Sequence, residues 1–118
     1  MVSGGFKGTA SGVVSSIAGG SYNTASNTWS SVSGGLANTA SGQCADVAGG
    51  YESLASGYCA TVFGDTNTAA GAGSSVTGGF NNSANGWRPG IGGGQGITES
   101  DTAGWAAGSS SAPDYHNP

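Results

Sequence analysis

Val32-Ser-Gly-Gly-Leu-Ala-Asn-Thr-Ala-Ser-Gly-Gln-Cys-Ala-Asp46 is the stretch that decides the fold. Fifteen residues earlier the chain reads Ile17-Ala-Gly-Gly-Ser-Tyr-Asn-Thr-Ala-Ser-Asn-Thr-Trp-Ser-Ser31. Fifteen residues later it reads Val47-Ala-Gly-Gly-Tyr-Glu-Ser-Leu-Ala-Ser-Gly-Tyr-Cys-Ala-Thr61. Self-similarity at a fixed period is the mark of a stacked repeat, in which each unit buries its apolar face only against its neighbours. Working outward, one apolar column runs through Val2, Ile17, Val32, Val47, Val62, Val76 and Ile91. Every interval is fifteen except Val62 to Val76, which is fourteen and lacks one residue of the Gly-Gly corner. A second column holds Ala10, Ala25, Ala40, Ala55, Ala69 and Ala84, halfway round each unit.

Each unit carries two corners, a Gly-Gly pair such as Gly34-Gly35 and a Ser-Gly step such as Ser41-Gly42. A glycine in a helix costs about 1 kcal/mol, and two such corners per unit leave no run long enough for a helix. Short strands between tight turns fit instead, with the corner glycines, and Asn27 in the place of one, expected to take positive φ. In Ser31-Val32-Ser33 the alternation turns Val inward and both Ser outward, and in Thr39-Ala40-Ser41 it turns Ala inward. The chain is therefore expected to be an all-β parallel β-solenoid of fifteen-residue rungs about 4.8 Å apart. Seven rungs stand roughly 30 Å tall. The repeat spans residues 2–91, and residues 92–118 form a degenerate cap and tail that cover the last rung. At the other end Val2-Ser-Gly-Gly is already in phase, so an open first rung is expected, calling for a neighbouring copy or domain.

Charge narrows the function. Lys7 and Arg88 are the only cations, and a net charge of -4 gives no footprint for nucleic acid. No apolar run approaches the length of a membrane helix, so this segment is not expected to insert in a bilayer. Asp46, Glu52, Asp65, Glu99, Asp101 and Asp114 share no column, which argues against a calcium roll, and the single His116 builds no zinc site. The glycines match no phosphate loop, and no nucleophile has a base and an orienting partner beside it. No cofactor, metal or enzymatic activity is expected. Asn81-Asn82-Ser83 is a formal glycosylation sequon.

Three features remain as candidate sites. Cys44 and Cys59 fall in one column on neighbouring rungs, within reach of a disulfide, or else as two small apolar fillers. Outward hydroxyls form ranks: Ser16, Ser31, Thr61 and Ser75 on one side of the valine column, Ser3, Ser33 and Thr77 on the other, and Thr9, Thr24, Thr39 and Thr68 beside the alanines. Such ranks suit a lattice of ordered water, as in an ice-binding solenoid, although strand surfaces commonly carry Ser and Thr. Bulky columns, Phe6, Leu36, Tyr51 and Phe80 in one and Val14, Trp29, Cys44 and Cys59 in another, read as contacts between subunits.

At Ser31-Val32-Ser33-Gly34-Gly35 followed by Asn38-Thr39-Ala40-Ser41-Gly42, the repeat resembles the head of YadA-like trimeric autotransporter adhesins. That family's unit reads Ser-Val-Ala-Ile-Gly followed by an Ala-x-Gly corner, and the likeness covers roughly residues 2–86. Similar repeats occur in phage and viral fibres. The resemblance implies a left-handed β-roll assembled as a homotrimer on an extracellular fibre, at a cell or virion surface, that attaches to a surface or matrix ligand. Gly replaces the family's Ile, which implies a thinner core, and neither the coiled-coil stalk nor the membrane barrel of the family is in the sequence. An ice-binding monomer and a filament subunit that stacks end to end are the alternatives.

Overall fold

The computed structural model describes residues 1–109 and 115–117. Up to Ala84 each rung contributes two-residue strands, one to each sheet, and each strand pairs in parallel with its equivalent one rung away. The Thr–Ala segments, from Thr9–Ala10 through Thr39–Ala40 to Thr98–Glu99, make a seven-stranded sheet. The Ser–Val segments, from Ser16–Ile17 through Ser31–Val32 to Trp105–Ser109, make the second sheet. Register follows the repeat: Val32 pairs with Val47, Ala40 with Ala55, and across the short unit Val62 pairs with Val76. A third ladder of single bridges, Phe6, Ser21, Leu36, Tyr51, Asp65, Phe80 and Gln95, closes the Gly-Gly side of every rung. The short unit keeps this ladder in step, with Tyr51 opposite Asp65. The molecule is a β-solenoid, thin and elongated, 42 × 22 × 11 Å along its principal axes.

The bore is lined as the alternation requires. Ile17, Val32, Val47, Val62, Val76 and Ile91 are fully buried, as are Ala25, Ala40, Ala55, Ala69 and Ala84. Val2 continues its column by bridging Ile17 but is 43% exposed, because no rung lies over it. Two further interior columns are polar. Asn23, Asn38, Ser53, Asn67 and Asn82 are buried, one above another. The Asn38 amide donates to the Gly34 and Gly50 carbonyls at 2.9 and 3.0 Å, while its Oδ1 accepts from the Ser53 backbone N–H at 2.9 Å. Each asparagine thus ties its own corner to the next rung, which satisfies polar groups that a dry interior would otherwise leave unpaired. The other polar column holds Ser15, Ser30 and Ser74, with Ala45 and Ala60 as its apolar members. The Ser30 hydroxyl donates to the Asn27 carbonyl at 2.7 Å.

The corners differ from the expectation in where positive φ falls. At the Gly-Gly corner it falls on the second glycine, as at Gly35 (φ 88), and again two residues on, as at Ala37 (φ 58). At the Ser-Gly corner neither Gly42 nor Asn27 takes positive φ; the left-handed residues are instead Val14, Trp29, Cys44, Cys59, Gly73, Arg88 and Ala103. The reason is a reversal of peptide direction. Most rung N–H groups donate forward, as Ser31 does to the Ala45 carbonyl at 2.9 Å. From Trp29 onward the left-handed residues of this corner donate backward, Cys44 to the Thr28 carbonyl and Cys59 to the Gln43 carbonyl. Gly42 is glycine for another reason: a Cβ there would lie 2.0 Å from the Gly57 carbonyl oxygen.

The stack runs past Ile91. Gly90–Gln95 pairs in parallel with Trp105–Ser109, with a register shift between Ile91 and Gly93, and Thr98 lies opposite Ser83. The bare glycine run is thus part of the coil. Glu99 takes the alanine position beside Ala84, fully buried, and its carboxylate accepts the Asp101 backbone N–H at 2.9 Å. Tyr115–Asn117 then folds back antiparallel along Trp105–Ala107 and ends the second sheet. Part of the segment read as a tail therefore forms the covering strand, while Asp114 lies outside the described residues.

Candidate functional surfaces

Two faces and two edges are available. On the seven-stranded sheet the outward column reads Thr9, Thr24, Thr39, Leu54, Thr68, Ser83 and Thr98, in register from rung to rung. Leu54 alone breaks the run of hydroxyls. On the other sheet the outward column reads Ser16, Ser31, Asp46, Thr61, Ser75, Gly90 and Trp105. Asp46 accepts the Ser31 hydroxyl at 2.5 Å, a charge-assisted bond that draws this rank together across one rung. Ser33 is exposed beside the column, and the Thr77 hydroxyl is turned back to the Ile91 and Gly92 carbonyls.

The Gly-Gly edge carries Phe6, Leu36, Tyr51 and Phe80 in one ladder, all exposed. Tyr22 meets Phe6 edge to face, with centroids 5.7 Å apart, and the Lys7 ammonium lies over both rings. The Ser-Gly edge carries Val13, Val14, Trp29, Tyr58 and Trp87, also exposed. Tyr58 and Trp87 were not among the residues the sequence reading singled out. They sit one residue before the column of Trp29 and Cys44, so a search at constant phase passes over them.

Cys44 and Cys59 lie at this edge on neighbouring rungs, both as free thiols. Burial, and then hydrogen bonding and charge from Cys59, raise the Cys44 thiol above its ordinary pKa. Negative charge on Cys59, then on Cys44, raises the Tyr58 phenol likewise. These three side chains therefore form one cluster, in which the Cys44 thiol and the Tyr58 phenol are both held protonated to higher pH. Among the described residues no group of three or more His, Cys, Asp or Glu is placed to hold a metal, and no helix is long and apolar enough to cross a membrane. Among the described residues the surfaces offer hydroxyl lattices and aromatic edges rather than a concave site.

Compared with known proteins, the chain matches no family model, no curated protein and no solved structure.

Proposed function

We propose that the chain is a non-enzymatic binding and structural module, the head or a fibre segment of a trimeric adhesin or phage-type fibre displayed outside the cell or on a virion. The observation that carries this reading is the exposed ladder of Phe6, Leu36, Tyr51 and Phe80 along one edge of a thin coil. A row of large apolar side chains is expensive to leave in water, and three such edges brought together bury one another and thicken a core that is otherwise mostly valine and alanine. The likeness of the repeat to YadA-like heads supports the same assembly. A homotrimer of stacked rungs repeats any weak outward contact many times, which gives avidity without a deep pocket. Sedimentation equilibrium at micromolar concentration tests it: a trimer is expected, and a clean monomer removes the reading. Substitution of Tyr51 and Phe80 by Ser is expected to shift the trimer toward monomer.

A second reading, ice binding, is favoured by the threonine column on the seven-stranded sheet, whose in-register members repeat about every 4.8 Å. It requires thermal hysteresis and faceted ice crystals from the monomer. Unshaped crystals at millimolar protein eliminate it.

A further inference from the structure

Trp29, Tyr58 and Trp87 follow one another along the Ser-Gly edge: Tyr58 and Trp87 share one column two rungs apart, and Trp29 stands two rungs before Tyr58 in the adjacent column. They are 57%, 58% and 54% exposed. Two rungs are about 9.6 Å. The rungs between carry Gln43-Cys44 and Ala72-Gly73 at this corner, so no aromatic ring stands between the platforms, and the Arg88 side chain lies back over Gly73. Arg88 is the one charged residue of the six corners from Gly12 to Arg88, and its guanidinium stacks 4.8 Å over the Trp87 ring. That contact fixes the indole and places N–H donors beside it.

We infer that this edge is a binding site for an uncharged β-1,4-linked polysaccharide, with Trp29, Tyr58 and Trp87 each stacking on a pyranose ring. A pyranose with equatorial hydroxyls presents its axial C–H groups as an apolar face, which fits an exposed aromatic ring as a peptide surface does not. In an extended β-1,4 chain successive sugars turn over, so rings with the same face recur once per disaccharide, an advance close to two rungs. An aromatic on every second rung therefore meets every second sugar. The near-neutral edge matches an uncharged polymer, and the exposed Gln43 amide supplies a polar contact between two platforms. Three shallow contacts on one rigid scaffold add as linked sites, so the polymer is held although each ring alone is weak. The inference rests on the reading of the chain as a binding module and names the ligand class of that module.

The test mixes the full chain with microcrystalline cellulose, with chitin, and with granular starch as the α-linked control, and measures depletion from solution. Retention on cellulose, chitin or both is expected, with little on starch and release by soluble cellohexaose. Trp87→Ala and Tyr58→Ala are each expected to weaken retention by up to about tenfold, while Tyr58→Phe and Phe6→Ala on the opposite edge leave it unchanged. A second variant keeps every aromatic and changes only the spacing: duplication of the Val32–Asp46 unit moves Trp29 and Tyr58 three rungs apart and is expected to weaken retention as Trp29→Ala does. Failure of both β-linked polymers to retain the chain overturns the inference. So does equal retention on starch, or full retention by the triple alanine variant. A chain that sediments as a monomer yet is retained removes the trimer and leaves this site standing. A trimer that ignores both polymers does the reverse.

Discussion

Asn38 holds three backbone groups at once, from a position with no access to water. Its amide bonds two corner carbonyls and its oxygen takes an N–H from the next rung. Asn38→Ala leaves the Gly34 carbonyl and the Ser53 N–H without that partner, while Gly50 still accepts the Leu36 N–H, and a loss of about 1–3 kcal/mol is expected in urea unfolding, with the slope unchanged. Asn38→Ser is expected to cost less, because Ser53 already serves in this column and its hydroxyl reaches the Gly64 carbonyl at 2.9 Å. The glycines divide in the same way. A Cβ at Gly42 strikes the Gly57 carbonyl at 2.0 Å, whereas a Cβ at Gly34 meets nothing within 4 Å. Gly42→Ala is expected to cost about 3 kcal/mol or more, and Gly34→Ala to be neutral or to stabilise by roughly 0.5 kcal/mol. A thermal melt of the two variants side by side decides this. The valine and alanine columns were legible because apolar residues at a fixed interval have one obvious place to go. The asparagines recur just as regularly, but a polar residue in a repeat reads equally well as surface. Only the closeness of the corner carbonyls to the bore makes an interior amide favourable.

At the scale of the corner, sequence and structure part company for a physical reason. Glycine was expected where φ is positive, yet the Ser-Gly corner puts glycine where neighbouring rungs nearly touch and assigns the left-handed backbone to Val14, Trp29, Cys44 and Cys59. A left-handed non-glycine residue costs about 1–2 kcal/mol, and the backward hydrogen bond that Trp29, Cys44 and Cys59 each make helps to offset it. Composition alone carries no trace of that bond, because any residue type has the N–H that forms it. The same corner gathers Cys44, Cys59 and Tyr58, and the raised Cys44 thiol and Tyr58 phenol give an alkaline signature. The Cys44 thiol and the Tyr58 phenol hold their protons to higher pH in the folded chain than in the unfolded one. Their contribution is complete below the unfolded pKa and is lost as pH rises through the folded one. The melting temperature is therefore expected to fall above about pH 8.5, and to fall less in Cys44→Ala, a substitution the corner accepts since Ala103 holds the equivalent place. A pH series of melts on the two proteins reads this directly. Thiol titration of the native chain is expected to find two reactive groups, with Cys44, the half-buried one, reacting more slowly.

Across the whole molecule the fold was legible from one interval repeated, while the surfaces were legible only in part. The hydroxyl ranks lie in phase and were found at once. The aromatic edge does not, since Trp29 and Tyr58 occupy adjacent columns and only the turn between them brings both outward. The interval itself makes a prediction about the chain as an object. If each rung touches only its neighbours, removal of one whole rung should heal. Deleting Val32–Asp46 joins Ser31 to Val47, which sets Val47 against Ile17, Ala55 against Ala25, and Ser53 beneath Asn23, so every column stays filled by its own kind. The shortened chain is expected to keep the β spectrum and assembly state of the parent and to lose only the stability of one interface. Deleting Val32–Asn38, less than half as much sequence, joins Ser31 to Thr39 and drives threonine into the valine bore while the corners fall on the wrong sheet. That chain is expected to aggregate or remain unfolded. Circular dichroism with sedimentation on both deletions separates a spring of interchangeable turns from a fold whose parts depend on their place along it: a fifteen-residue deletion that unfolds the protein would remove the spring, whatever the seven-residue one does.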